Sequence, residues 1–553
     1  MLSCITAIFG YDILPDYQDK LFHLRRLAAL AQTLKSGYFP ARIYFVMNQG
    51  TGYAMPVFYP DLFFYIPACM VNLGVPLGIA YEIYVVFINV ITGAVTYFSV
   101  KGILKGEKLV PAVISFVYVL SVYRLTDVYI RDAAGEYTAM AFLPFVTYAF
   151  IRLYREDTSE EDFKSIIKNA SLLGMAMTLL ALTHVLTTMM ASGIMLACAL
   201  LLFRRTFKKS RIETLLLSVL FFLGLSAYFL YPMIDYMLSD RYLVNESSNI
   251  MRGFYPGIKD IFEIIPAGSG SGIVYDLKMP TAIGPAVTAI LAAWLLRGCF
   301  FPKGYKSTAF ITKVFMFGAS IFSLFISSKY FPWNAIDRMG GPLKRLLFQI
   351  QFSWRYLSIA TVCGCILGGI LISDISKVSK SSAMMMIALI MMLAAGPAVI
   401  LQIRACGENR HVTIEKGEDI GIVSDELYFP VSWNRDASYD ECPSAAGCEV
   451  VSYARKGGDW IVNVEYDSLP SVLVFPVVYY KGYGAYTEDG DKLQTMQATD
   501  GRVMVVIPEG FSGELKMGFK EPFTWRIAEL ISLISIEAVI LTFIRGRKAG
   551  EKD

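Results

Sequence analysis

The sequence predicts an α-helical polytopic membrane protein of about twelve transmembrane helices with a C-terminal extracytoplasmic β domain. Three observations predict it. Of 553 residues, 55% are hydrophobic and 18% charged, whereas a water-covered domain carries about 25% charged residues. Uncharged stretches long enough to cross a ~30 Å hydrocarbon core, roughly 17–25 residues each, recur along the chain. The long polar region at 404–522 instead alternates in the manner of strands.

The elements follow in order. Residues 1–14 are apolar but short for a span, with neither a basic start nor a small-residue cleavage site, and read as a truncated first helix. A polar, aromatic-rich region, 15–76, comes next. Further spans are expected at 77–99, 109–124, 137–154, 169–184, 186–203, 214–234, 281–297, 310–328, 355–373, 383–403 and 526–545. Basic clusters test the count: Lys101, Lys105 and Lys108; Arg152 and Arg155; Arg204, Arg205, Lys208, Lys209 and Arg211; Arg297, Lys303 and Lys306; Lys377 and Lys380; and Arg545, Arg547 and Lys548. With these spans every cluster falls on one side, the cytoplasm by the positive-inside rule. The uncharged run 169–203 must then be a hairpin, because a single crossing would put the Arg204–Arg211 cluster outside; His184 falls near its external turn. Both termini are expected on that cytoplasmic side.

The outer side receives 15–76, 125–136, 235–280, 329–354 and 404–522. Three units result: a transmembrane domain over 1–403, a β-sandwich-like domain over 404–522, and a last helix with a basic tail over 523–553. In the β region 460–466 alternates, 472–480 and 502–507 are rich in Val, Ile and Tyr, and Gly482, Gly484, Gly490, Gly501 and Gly510 punctuate the turns. Its aromatics, Trp433, Trp460, Tyr479, Tyr480 and Tyr483, could stack on sugars or form the domain's own core. Among nine cysteines no paired CxxC suggests zinc. Cys406, Cys442 and Cys448 leave a disulfide or free thiols open.

A net charge of +3 gives no support for a nucleic-acid partner. Walker A, GxSxG and HExxH motifs are missing, so ATP-driven pumping, serine hydrolysis and zincin chemistry lack sequence support. Three constellations remain. Asp19, His23 and Arg26 share one face of an amphipathic helix on the outer membrane surface, with Leu21, Leu24, Leu27, Ala31 and Leu34 on another. Asp19 lies near its N-terminus, where the dipole favours a carboxylate. The polar face either meets water or faces a site. The second is the short loop holding Asp127, Arg131, Asp132 and Glu136, charges that either pair with one another or line a polar cavity. The third is 342–355, an apolar stripe of Leu343, Leu346, Leu347 and Ile350 running into Gln351-Phe-Ser-Trp-Arg355. There Arg355 could hold a phosphate bidentately or simply anchor the interface.

The order of motifs carries a resemblance. Asp19-Lys-Leu-Phe-His23, Gly37-Tyr-Phe-Pro-Ala-Arg42 and Gly52-Tyr-Ala-Met-Pro-Val-Phe-Tyr-Pro60 come first. Tyr123-Arg-Leu-Thr-Asp127, Arg131-Asp-Ala-Ala-Gly-Glu136, Thr183-His184 and Gln351-Phe-Ser-Trp-Arg355 follow, then the tail from Pro476 through Tyr483 to Pro508. Together they resemble the YfhO-like bacterial membrane proteins, including those labelled pyruvoyl-tetrahydropterin-synthase-related, a label that does not imply pterin chemistry. Such proteins are similar to GT-C glycosyltransferases, which use polyprenyl-phosphate sugars and place an acidic residue of the first external loop at the catalytic centre. The resemblance implies Asp19 as catalytic base. It implies His23, Arg26, Arg42, Asp127, Arg131, Glu136, His184 and Arg355 around the donor phosphate or substrate. A polyprenyl-phosphate sugar would be the donor, an envelope glycan, lipid or protein the acceptor, and membrane lipids the surroundings. No metal site is expected, although a divalent cation between Asp19 and Glu136 is conceivable. Ser353 departs from the Phe-Pro-Trp-Arg-like stretch of the family. The competing expectations are a transporter or flippase of lipid-linked glycans, which would carry ionisable groups deep in its spans, and a non-catalytic scaffold whose β domain binds glycan.

Overall fold

The computed structural model describes residues 2–5, 7, 19–105, 107–155, 163–246, 255–266, 273–274, 277–297, 310–407, 423, 426–435 and 441–550. The expected first helix at 1–14 lies mostly outside them. The helices that matter are α1 (Lys20–Lys35), α2 (Tyr65–Asn72), α3 (Leu77–Leu104), α4 (Leu109–Val119), α5 (Val122–Tyr129), α6 (Ala134–Arg155), α7 (Phe163–Ala181) and α8 (Val185–Leu201). They continue with α9 (Lys209–Ser239), α10 (Pro285–Leu295), α11 (Phe310–Ser327), α12 (Trp333–Met339), α13 (Gly341–Phe348), α14 (Leu357–Val378), α15 (Lys380–Gly407) and α16 (Phe523–Gly550). Among the described residues, five helical stretches are long and apolar enough to cross a membrane, or six if a bent pair counts as one span. A helix stands at each of the other expected positions.

The expected span at 109–124 is helical but bent. That stretch is not one straight span: α4 and α5 meet at a 47° bend. Arg124, inside the apolar pattern, explains why the chain turns. Its guanidinium is fully buried and donates to Asn89 Oδ1 at 2.7 Å and Thr92 Oγ1 at 2.9 Å on α3. A buried charge must be met by such groups, and the bend delivers it to them. The expected external loop at 125–136 is accordingly mostly helix, ending α5 and opening α6.

The hub of the bundle is α14, buried along its whole apolar window. Small residues let its neighbours approach, as in packed membrane helices. A Cβ on Gly364 would come within 2.7 Å of Val287, and one on Gly368 within 2.7 Å of Ile290, both on α10. The hairpin at 169–203 is two helices, α7 and α8, broken at 182–184.

The C-terminal region is a two-sheet β structure. Its strands are β1 (Ser444–Ala446), β2 (Cys448–Lys456), β3 (Asp459–Tyr466), β4 (Val472–Val478), β5 (Tyr483–Thr487), β6 (Lys492–Leu493), β7 (Thr495–Gln497), β8 (Arg502–Val506) and β9 (Gly513–Phe519). One sheet runs β1-β4-β8-β7 and the other β2-β3-β9-β5-β6, with antiparallel pairing throughout. Trp460, Val462 and Val464 of β3 point inward in alternation, joined by Leu473, Phe475, Val503, Val505 and Leu515. Trp433, Tyr480 and Tyr483 are buried as well, so these aromatics serve packing. Cys442 and Cys448 are free thiols.

This region is docked tightly on the helices. Tyr480 stacks on Tyr236 and Tyr242. Asp235, expected to begin an external loop, lies in the last turns of α9, where Lys481 meets it at 2.7 Å and Trp525 Nε1 donates to it at 2.8 Å.

Candidate functional site

The first two constellations are brought together by one turn. Residues 130–133 link α5 to α6: the Arg131 and Ile130 amides donate to Thr126 O, and Asp132 adopts a left-handed φ of +58°. Asp and Asn tolerate that region better than most residues. Asp19, at the N-terminus of α1, clasps this turn through its backbone amide, which donates to Arg131 O at 3.2 Å. His23, one helical turn on, accepts the Ala134 amide on Nε2 at 3.2 Å. That amide also donates to Asp132 O at 3.0 Å, so His23 shares it with the turn's own backbone. The polar face of α1 is therefore turned inward, and His23 and Arg26 are buried.

From this turn a chain of charges extends inward. The Arg131 guanidinium lies 3.7 Å from the Asp19 carboxylate, 3.1 Å from Asp127 Oδ1 and 2.6 Å from Glu136 Oε2. Arg355 Nε reaches the same Glu136 oxygen at 3.0 Å, a close ion pair whose angle is too poor for a hydrogen bond. Arg355 Nη1 donates to Ile350 O at 2.9 Å. The Tyr123 hydroxyl donates to Glu136 Oε1 at 2.6 Å. Both guanidinium carbons lie over the Phe352 ring, at 5.3 and 5.2 Å, and Phe352 stacks on Trp354. Three carboxylates thus meet two guanidiniums. Four of these groups are almost fully buried, whereas the Asp19 side chain is 39% exposed.

Burial and the neighbouring Arg26 and Arg131 hold the pKa of His23 well below its usual range, so it is neutral. Asp132 is pushed up to about 6 by burial, against the opposing charge of Lys20 and the hydroxyl of Tyr81. His184 Nδ1 lies 2.8 Å from Thr187 Oγ1, and the His184 ring is 6.3 Å from that of Tyr59. Tyr59 is 6.3 Å from His23 on its other side and packs under the Arg26 guanidinium at 4.2 Å.

Two expected members stand differently. Arg26 is taken up internally: it pairs with Asp61 at 2.5 Å, donates to Pro60 O, and Asp61 in turn accepts the Tyr44 hydroxyl. Arg42 is not brought to this cluster. Its contacts are Tyr228 O and Glu529, both at 3.0 Å, and Glu521 at 3.4 Å, which fasten the start of α16 to the segment between α1 and α2. A cation between Asp19 and Glu136 has little to bind, because both Glu136 oxygens already face donors. Among the described residues no group of three or more His, Cys, Asp or Glu side chains is arranged for a metal.

Sequence reasoning missed Tyr59, Tyr123 and Phe352 as members. All three lie within the short motifs quoted above, but nothing in their spacing marks an aromatic as the floor of an arginine pair. The arrangement offers a half-exposed carboxylate that can accept a proton, set against buried guanidiniums that can meet an anion.

No family model matches the chain. A stretch of 116 residues is 24% identical to an uncharacterized protein of Lactococcus lactis subsp. cremoris (strain MG1363), covering 20% of this chain and 19% of that protein. Solved structures with similarity include the arabinofuranosyltransferase AftD from mycobacteria, at 13% identity and a TM-score of 0.40, over 72% of this chain and 26% of that one. The oligosaccharyltransferase of Archaeoglobus fulgidus in its apo form shares 14% identity at a TM-score of 0.38, over 75% and 55% of the two chains. The Archaeoglobus fulgidus oligosaccharyltransferase AglB, solved with an inhibitory peptide and a dolichol-phosphate, shares 12% at 0.37 over the same fractions. This chain spans about a quarter to a half of the length of these structures and about a fifth of the curated relative.

Proposed function

We propose that this chain is a membrane glycosyltransferase of the GT-C type, moving a sugar from a polyprenyl-phosphate donor to an envelope glycan, lipid or protein. The reaction takes place on the outer face of a bacterial plasma membrane. The single observation that carries the reading is the setting of Asp19: a half-exposed carboxylate 3.7 Å from Arg131, in a charge chain that ends on Arg355. The sequence resemblance to YfhO-like proteins points to the same residue independently.

The chemistry is simple in atoms. The acceptor hydroxyl oxygen attacks the anomeric carbon of the donor while the Asp19 carboxylate takes its proton. The bond from that carbon to the phosphate oxygen breaks, its electron pair stays on the phosphate, and the anomeric carbon inverts. Arg355 and Arg131 stabilise the charge that develops on the leaving phosphate. Phe352 and Glu136 hold the two guanidiniums side by side, which their mutual repulsion would otherwise oppose. Asp127 and the neutral His23 keep the turn in place.

The test is Asp19→Asn in purified protein, followed by sugar release from a panel of polyprenyl-phosphate sugars. Loss of a general base costs roughly 100-fold or more in turnover. A variant that turns over at the rate of the parent chain would remove the proposed base.

A further inference from the structure

The other end of the bundle holds a cavity that the transfer chemistry does not use. It has a volume of about 730 Å³ and lies among α6, α8, α11 and α14, at the end of α3. Its rim is far from Asp19, whereas its deepest lining, at Ile359, comes within about one helical turn of Arg355 along α14. Tyr81, which donates to Asp132 beside the site, and Lys105, which closes α3, are separated by roughly 35 Å of helix.

The walls and the mouth differ in chemistry. Phe150, Met195 and Phe315 are typical of the walls, which are apolar. At the mouth stand Lys105, Arg205 and Lys377, each from a different helix end. The anions there are already engaged: Asp374 is paired with Lys313 and, at 3.2 Å, with Lys377, while Glu107 accepts the Ser373 hydroxyl. Counting Lys105, Arg205, Lys377 and Lys313 against Asp374 and Glu107, cations outnumber carboxylates by two. A site of this size, within the roughly 300–1,000 Å³ of ligand pockets, with an oily interior and a cationic rim, is complementary to an amphiphile with an anionic head.

We propose that this cavity binds an anionic glycerophospholipid, its tail against the apolar walls and its phosphate met by Lys105, Arg205 and Lys377. The rim belongs to the clusters that mark one membrane face, where lipid phosphates lie at the level of helix ends. The inference does not depend on the transferase reading, since no residue of the Asp19 cluster takes part.

The full chain, purified in mild detergent, would be titrated with dioleoyl phosphatidylglycerol, with phosphatidylcholine of the same tails, with undecaprenyl phosphate and with inorganic phosphate, and bound lipid counted by native mass spectrometry. Phosphatidylglycerol is expected to bind at one site in preference to phosphatidylcholine. Replacing all three rim cations, K105A/R205A/K377A, should weaken it on the order of 100-fold. Ala319→Trp, which fills the cavity, should weaken both phospholipids; if that variant does not fold, the rim variant still decides. Equal retention of the two phospholipids, or an unaltered rim variant, overturns the proposal. So does displacement by inorganic phosphate, which would leave the tail no role. Tighter binding of undecaprenyl phosphate would assign the site to the polyprenyl carrier and overturn the phospholipid assignment.

Discussion

The two ends of the helical bundle bury charge in different ways. At the Asp19 end, five charged groups form a chain in which Glu136 is shared by Arg131 and Arg355, and Asp19 at its edge stays 39% exposed. At the opposite end, Lys313 and Asp374 pair directly, with Lys377 as a half-exposed second partner, beside an apolar cavity. A simple pair satisfies burial and little else. A chain that brings two guanidiniums onto one ring holds like charges together against their repulsion, an arrangement suited to an anion that arrives and leaves.

The largest expected effect tests that asymmetry directly. Glu136→Gln removes the one carboxylate that both arginines share and leaves two buried cations with Asp127 and the partly exposed Asp19. Breaking a buried pair costs about 3–5 kcal/mol, so thermal unfolding in detergent should shift strongly and sugar transfer should be lost. A variant as stable as the parent chain would show that the chain of charges is not holding the turn. At the other end Lys313→Met should cost less, about 1–2 kcal/mol, because Lys377 remains beside Asp374. The double variant K313M/D374L should recover most of that loss, as apolar replacement of buried pairs often does. A double variant no better than the single one would make the two ends alike.

The sequence showed the helices well because lipid-crossing length and lack of charge are one-dimensional properties. It placed α3, α6, α9, α14 and α15 within a few residues, and the β region by alternation in 460–466. It did not show the bend in 109–124, because Arg124 is a buried charge met by Asn89 and Thr92 from another helix, and that contact is not local in sequence. For the site, the residue pattern marked Asp19 with His23 and Asp127 with Arg131 and Glu136 as two separate clusters; that the 130–133 turn joins them is a tertiary fact no local pattern carries. The contacts of Arg42 were not legible in the sequence, because its partners, Glu521 and Glu529, lie about 480 positions away and no local pattern announces them. Nor did any pattern announce the buried ionisable pair of Lys313 and Asp374 at the other end, since its members lie on different helices.

The smallest expected effect is a pH dependence confined to the Asp19 end. Asp132 faces Lys20 and Asp19 from α1 and Tyr81 from α3, and burial raises its pKa to about 6 from about 3.9 in an unfolded chain. The folded state therefore holds this proton more tightly. Its contribution to stability is complete below about pH 4, is lost as pH rises through about 6, and is constant above that. Asn at this position accepts the φ of +58° and the Tyr81 hydroxyl but cannot titrate. Thermal midpoints of the parent chain should accordingly fall relative to Asp132→Asn between about pH 4.5 and 7, by a degree or two at this chain length. Lys313→Met should keep the slope of the parent chain, since it touches no group near the turn. Parallel curves for parent and Asp132→Asn would mean that the carboxyl is already ionised in the folded state. Below about pH 6 the turn at 130–133 would then carry one more negative charge beside Asp19 than a protonated Asp132 allows, favouring a protonated Asp19 and weakening it as the base in that range.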